Sequence, residues 1–144
     1  MITVRDILRN KKPGIFSVPV GSKVLDALKL MAEKNIGAVL VIEIDEVKGI
    51  LSERDYARKV ILQGHSSREL NVEKIMSSRV IYVTPDMKCE DCMALMIEKR
   101  IRHLPVYEND KLTGLISIGD VVKELIKHKD YMIDQLEKYI TNRI

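Results

Sequence analysis

The sequence predicts an α+β fold built from two copies of a strand–helix–strand–strand–helix unit. Three observations predict it. Sliding the 144-residue chain against itself by 65 positions, the distance from Gly49 to Gly114, aligns Ile15–Ile61 with Val80–Ile126 without a gap. Identical pairs include Val18/Val83, Asp26/Asp91, Met31/Met96, Val41/Val106, Gly49/Gly114, Ser52/Ser117 and Asp55/Asp120. Within that repeat, Gly49-Ile50-Leu51-Ser52-Glu53-Arg54-Asp55 returns as Gly114-Leu115-Ile116-Ser117-Ile118-Gly119-Asp120. Each string is a short apolar strand that breaks on a serine, with an aspartate three residues later as a helix begins. Finally, Val4-Arg5-Asp6-Ile7-Leu8 resembles Val72-Glu73-Lys74-Ile75-Met76 ahead of the second copy, after which the spacer is three residues shorter.

The elements follow in order. Ile15–Val18 and Val80–Val83 are short strands, ended by Pro19 and Gly21 in one copy and by Pro85 in the other. A helix from about Ser22 to Lys34 comes next. Its apolar residues Val24, Ala27, Leu28 and Met31 fall on one face, and Cys89, Cys92, Met93 and Met96 take the same places in the second copy. Gly37–Ile42 (Arg102–Tyr107) is then a strand. A polar turn links it to a partner strand, Val47–Leu51 (Leu112–Ile116), which makes a hairpin. A second helix starts at Ser52 (Ser117). Gln63-Gly64-His65-Ser66-Ser67 stops the first of these helices. The second runs on, with Val122, Leu125, Ile126, Met132, Ile133, Leu136 and Ile140 at helical spacing and no Gly or Pro through Ile144. The division is therefore 1–66, 67–130 and a helical extension 131–144. A unit of about 50 residues is marginal alone and is expected to pack against its twin with pseudo-twofold symmetry.

Composition narrows the function. One Phe, five Tyr and no Trp leave an aliphatic, Met-rich core. A net charge of +3, with basic and acidic residues interleaved, gives no nucleic-acid footprint. Purely apolar runs such as Ala38–Ile42 are far short of a membrane span. The N-terminal residues lack the basic flank and apolar block of a signal peptide. A cytoplasmic protein is expected, with no membrane and no nucleic acid among its partners.

The chemistry rests on few residues. Ser52-x-x-Asp55 and Ser117-x-x-Asp120 fit a capping box, and capping alone explains serine, spacing and carboxylate. The same geometry also suits a ligand. A helix N-terminus favours an anion, and an acceptor-only carboxylate beside it suits the two hydroxyls of a ribose. Cys89-Glu90-Asp91-Cys92 has the C-x-x-C spacing of redox proteins, but the twins of its cysteines are Val24 and Ala27 on a core face. Packing is therefore the expected role of Cys89 and Cys92, with a thiol-redox protein the lesser reading. The histidines are scattered, so no metal site is expected, and no phosphate-binding loop or nucleophile elbow is present. An enzyme is not expected.

The order of elements, the apolar-Ser-x-x-Asp endings and the strand Arg102-His103-Leu104-Pro105-Val106 together resemble a tandem pair of CBS domains, the regulatory fold of cystathionine β-synthase. The run Ser52–Val60 resembles a stand-alone type. The resemblance implies a module that binds an adenine nucleotide (AMP, ADP, ATP or NAD(H)) in clefts between the two domains, with no required cofactor. It also implies a homodimer and an unidentified effector protein. Carried over by position, Asp55 and Asp120 would hold ribose hydroxyls beside Ser52 and Ser117. Ser17, Val18, Ile81 and Val83 would flank the adenine. Gly37 and Ala38 in one cleft, and Arg102, His103 and Pro105 in the other, would face the sugar-phosphate, with Arg54 reaching toward the second. The Asp120 cleft is expected to be the tighter phosphate site, because Arg102-His103 stands where the first copy has the neutral Gly37-Ala38. A structural dimerisation module that binds no nucleotide is the alternative.

Overall fold

The computed structural model describes residues 1–142; the predicted helix end at Arg143 and Ile144 lies outside them. The chain forms two compact units, one of residues Gly14–Ile81 and one that joins Met1–Pro13 to the residues from Tyr82 onward. This differs from the contiguous division at residue 66, and the reason is an exchange of leading segments. The helix α1 (Val4–Asn10), which precedes the first repeat, packs with the second. The 3-10 turn Val72–Lys74, which precedes the second repeat, packs with the first.

The first unit holds a three-stranded sheet in the order β1-β2-β3, from β1 (Ser17–Pro19), β2 (Ala38–Glu43) and β3 (Glu46–Ser52). β1 is parallel to β2, with Val18 opposite Val41, and β2 is antiparallel to β3, with Ala38 opposite Ser52. Between β1 and β2 runs α2 (Val24–Lys34), which starts two residues later than Ser22 because Ser22 and Lys23 are drawn into bonds with the 66–72 segment. Val24 N–H donates to the Leu70 carbonyl at 2.9 Å, and Val72 N–H to the Ser22 carbonyl at 2.8 Å. α2 buries Val24, Ala27 and Met31 against Val39, Val41 and Leu51, as its helical spacing predicts. It ends on Asn35 in the left-handed conformation, which returns its N–H to the last carbonyls of the helix. After β3, α3 (Glu53–Tyr56) continues through a wider π turn, Ala57–Ile61, and the chain leaves it at Gly64, φ 73°.

The second unit repeats this with α4 (Cys89–Lys99), β4 (His103–Glu108), β5 (Lys111–Ser117) and α5 (Ile118–Asn142). α4 buries Cys89, Cys92 and Met96, the positions that match Val24, Ala27 and Met31, and it ends on the left-handed Arg100. β4 and β5 pair antiparallel, with His103 opposite Ser117. The expected strand Val80–Val83 shrinks to one parallel bridge, Val83 to Val106, fastened by Val83 N–H to the Pro105 carbonyl and Tyr107 N–H to the Val83 carbonyl, both at 3.0 Å. The chain passes from one unit to the other at residues 81 and 82, which leaves only Val83 to reach the ladder.

The twin glycines of the repeat explain how the exchanged segments seat. A methyl group on Gly49 would stand 2.5 Å from Met76 Sδ and 2.9 Å from the Ser77 carbonyl; one on Gly114 would stand 2.5 Å from Leu8 Cδ2. Met76 and Leu8 are the equivalent residues of the two leading segments. Each covers the bare backbone that a glycine leaves in the middle of a hairpin strand. The first N–H groups of α1 are also met in this unit: Val4 donates to the Met87 carbonyl and Arg5 to the Pro85 carbonyl, each at 2.9 Å.

Candidate ligand-binding site

Both Ser-x-x-Asp strings stand where a hairpin strand turns into a helix. In the first unit, Ser52 N–H donates to Asp55 Oδ2 at 3.0 Å and Asp55 N–H donates to Ser52 Oγ at 3.1 Å. In the second, Ser117 N–H donates to Asp120 Oδ2 at 2.8 Å and Asp120 N–H donates to Ser117 Oγ at 3.1 Å. These are closed capping boxes, so the capping role holds in full. The first residue of each helix is tied to the neighbouring strand as well. Glu53 N–H donates to the Gly37 carbonyl at 3.0 Å and Ile118 N–H to the Arg102 carbonyl at 2.8 Å.

Those bonds bring together most of the predicted site residues of each unit. Gly37 and Ala38 lie beside Ser52–Asp55, because Ala38 is opposite Ser52 in the ladder. Arg102 and His103 lie beside Ser117–Asp120, because His103 is opposite Ser117. Arg54 is exposed on the first turn of α3, and Arg102 is exposed at the start of β4. Val18, Ala38, Val83 and Pro105 are buried, so their side chains belong to the core and only their backbone is available to a ligand. Ser17 is exposed on β1. Ile81 closes the first unit while Val83 lies in the second, so the pair is divided.

Each carboxylate also carries a cation that the sequence reading did not single out. Lys59 Nζ lies 3.4 Å from Asp55 Oδ1 and donates to the Ile75 carbonyl at 2.9 Å. Lys11 Nζ donates at 2.7 Å both to Asp120 Oδ2 and to the Leu115 carbonyl. The first pair was legible, being four residues apart on a helix. The second joins residues 109 apart and left no local signal. Burial by itself pushes the Asp120 carboxyl up. The Lys11 hydrogen bond, the Ser117 N–H and the charge of Lys11 together outweigh it and hold the group below the usual carboxylate range.

Cys89 and Cys92 are fully buried, and the Cys89 thiol donates to the Thr3 carbonyl at 3.6 Å. Burial, with Cys92 adding to it, pushes the Cys89 thiol up to about 12. Burial and Asp91 push Cys92 up to about 11. Thiols this weakly acidic are protonated at neutral pH and are no attacking thiolates, which removes the physical basis of the redox reading. Among the described residues no group of three or more His, Cys, Asp and Glu is placed to hold a metal ion, and no helix is long and apolar enough to cross a membrane.

The sequence and the fold are similar to those of known proteins. The sequence model of the CBS domain matches residues 4–62 and again 72–127. The mitochondrial CBS domain-containing protein CBSX3 of Arabidopsis thaliana is 41% identical over 122 residues, 81% of this chain and 59% of that protein's length. The CBS domain-containing protein YhcV of Bacillus subtilis is 31% identical over 121 residues, 84% of each chain. Among solved structures, a protein with CBS domains from Burkholderia ambifaria MC40-6 superposes with a TM-score of 0.84 at 53% identity, covering 87% of this chain and 94% of that one. The CBS domain pair of protein MJ0100, solved with 5′-methylthioadenosine and S-adenosyl-L-methionine, shares the fold at a TM-score of 0.76 and 24% identity, covering 90% and 98%.

Proposed function

The chain belongs to the CBS-domain family, and from that premise we propose that it is a non-catalytic regulatory module that binds an adenine nucleotide and passes its occupancy to an effector protein. The ligand class is AMP, ADP, ATP or NAD(H), and the preferred site is at Asp120. The observation that carries this reading is the state of Asp120: a half-buried carboxylate held ionised at the start of a long helix, beside Arg102 and His103. An ionised carboxylate only accepts, and a ribose diol offers it two donors. The 5′-methylthioadenosine in the MJ0100 pair supports the class, since it carries the same adenosyl group on the same fold. Binding regulates to the extent that the ligand favours one arrangement of the module over another.

The module is cytoplasmic and works as a homodimer in this reading. Support for self-association comes from α5, which continues beyond the family match at residue 127 with Met132, Ile133, Leu136, Tyr139 and Ile140 all about half exposed. A purely structural module has one observation in its favour, the complete closure of both capping boxes.

Thermal unfolding against AMP, ADP, ATP, NAD⁺, NADH and S-adenosylmethionine separates the two. Ligand at 100 times its dissociation constant adds about 2.7 kcal/mol. A selective rise in Tm that vanishes in Asp120→Ala is the expected result. In chain shown to be free of co-purified nucleotide, no rise with any of them leaves the structural module.

A further inference from the structure

The carboxylate proposed to take a ribose is already occupied by the protein. α1 ends at Asn10, and the extended backbone of Lys11 (φ −103°, ψ 146°) turns the chain toward the junction of β5 and α5. There the Lys11 ammonium bridges Asp120 Oδ2 and the Leu115 carbonyl, both at 2.7 Å. Its neighbour Asn10 donates to both carboxylate oxygens of Glu124 at 3.3 Å, one helical turn further along α5. The two residues that close α1 therefore grip the first turns of α5. The Lys11 side chain is 32% exposed and that of Asp120 24%, so the pair is mostly covered but reachable from solvent.

The same pattern, a lysine shared between the site carboxylate and a carbonyl, recurs in the first unit through a different residue. There Lys59 bridges Asp55 and the Ile75 carbonyl. The repeat places Glu124 at the position of Lys59, so the lysine four residues past the aspartate is missing from α5, and the cation comes instead from Lys11 at the end of α1. Two unrelated routes to one arrangement point to a role for the cation itself.

We propose that Lys11 makes the Asp120 site selective for phosphorylated nucleosides over uncharged ones, by sitting on the carboxylate when the site is empty and moving to the ligand's phosphate when the ribose takes its place. The inference rests on the nucleotide reading above. A ribose diol that spans the carboxylate donates to both of its oxygens, and Oδ2 is the one that Lys11 and the Ser117 N–H now hold. An uncharged nucleoside gains its hydroxyl bonds to Asp120 only by breaking the ion pair, and it leaves a mostly covered ammonium with the Leu115 carbonyl alone. That loss is large, because hydrogen bonds between charged partners are about twice as strong as neutral ones. A 5′-phosphate returns a charged acceptor to the ammonium. It hangs from the same sugar as the diol, and lysine is a point charge on a flexible four-carbon stem that can follow it. The ligand thus exchanges one ion pair for another.

The test is calorimetric titration of the full chain, wild type, Lys11→Met and Lys11→Arg, with adenosine, AMP and ATP. In the wild type AMP should bind at least about tenfold more tightly than adenosine, the factor set by one well-made charged hydrogen bond. In Lys11→Met adenosine should tighten, AMP and ATP should weaken, and the AMP-to-adenosine ratio should close to about threefold or less. Lys11→Arg, which keeps the charge, should keep most of the preference and shows that the effect is not a loss of folding. Wild-type preference for AMP that persists unchanged in Lys11→Met overturns the role of Lys11 alone. Failure of the wild type to bind any of the three overturns the nucleotide reading and this one with it.

Discussion

Exchanging Ile44 and Asn109 between the two hairpin turns tests how the repeat uses its backbone. Both hairpins close on two residues with positive φ: Ile44 and Asp45 at 48° and 60°, Asn109 and Asp110 at 52° and 62°. Such a pair makes the mirror-image turn whose twist suits flanking strands, and Asn, Asp and Gly are the residues that enter it without strain. Ile44 is β-branched and 92% exposed, so it bears the steric cost and gains nothing from burial. An L-residue in this region costs roughly 1–2 kcal/mol, part of which asparagine recovers through local hydrogen bonds. Ile44→Asn should therefore stabilise the chain by about 1 kcal/mol, and Asn109→Ile should destabilise it by about as much. The sites are independent, so the double exchange should return close to wild type. Urea unfolding reads this as a shift in midpoint at constant slope, and thermal unfolding as about 2–4 °C. An unchanged or lowered midpoint in Ile44→Asn refutes the reasoning. The left-handed turn at Ile44 would then carry no strain to relieve.

Further outcomes follow from the packing and charge of each unit. Gly49→Ala drives a methyl group into Met76 and the Ser77 carbonyl, one of them rigid backbone, and should cost about 1–3 kcal/mol in urea unfolding. Gly114→Ala meets only the end of the Leu8 side chain and should cost clearly less; equal losses would refute the distinction. Asp120, held below its unfolded value, contributes stability that is fully present above about pH 4 and is lost as pH falls through the lower folded value. Asp120→Asn should therefore flatten the acid side of the urea-midpoint profile below about pH 4, and Lys11→Met should move that loss to higher pH. Cys89 and Cys92 should react with a thiol reagent at neutral pH only as fast as the chain unfolds, and rapid labelling of the native protein would restore the redox reading.

Most of this architecture was legible because the repeat supplied a control at each position. A lone S-x-x-D or a run such as Val24–Met31 is ambiguous, but its twin at an offset of 65 fixed the element and its buried face. The C-x-x-C was the clearest case, since Val24 and Ala27 at the twin positions marked a core face and both thiols are buried. The missed features share one cause, which is that they depend on chain paths rather than on local pattern. The exchange of α1 with the Val72–Lys74 turn left its trace only in Gly49 and Gly114, whose missing side chains make room for Met76 and Leu8. The shortening of the strand at Val80–Val83 follows from the crossing between units at residues 81 and 82. The pairing of Lys11 with Asp120 spans most of the chain and has no signature in either neighbourhood.

Capping geometry alone does not mark a binding site in this protein, because α1 has it too. Thr3 N–H donates to Asp6 Oδ2 at 3.0 Å in a third box of the same form. What sets that box apart is its surroundings. Two N–H groups at the start of α1 are taken up by the Met87 and Pro85 carbonyls, against one in α3 and one in α5. The cation beside Asp6 is Arg9 on its own helix at 3.5 Å, with no backbone carbonyl shared among the described residues. Asp55 and Asp120 stand instead where a hairpin strand turns into a helix, each under a lysine shared with a backbone carbonyl. Even these two are not interchangeable. A ligand that takes Asp55 need only move a side chain on the same helical segment. A ligand that takes Asp120 must find a new partner for the residue that ends α1, and Asn10 ties that same end to Glu124. Under the proposed nucleotide reading, the same molecule at Asp55 and at Asp120 would therefore have different mechanical consequences, and at Asp120 it would act on a separate element of the fold.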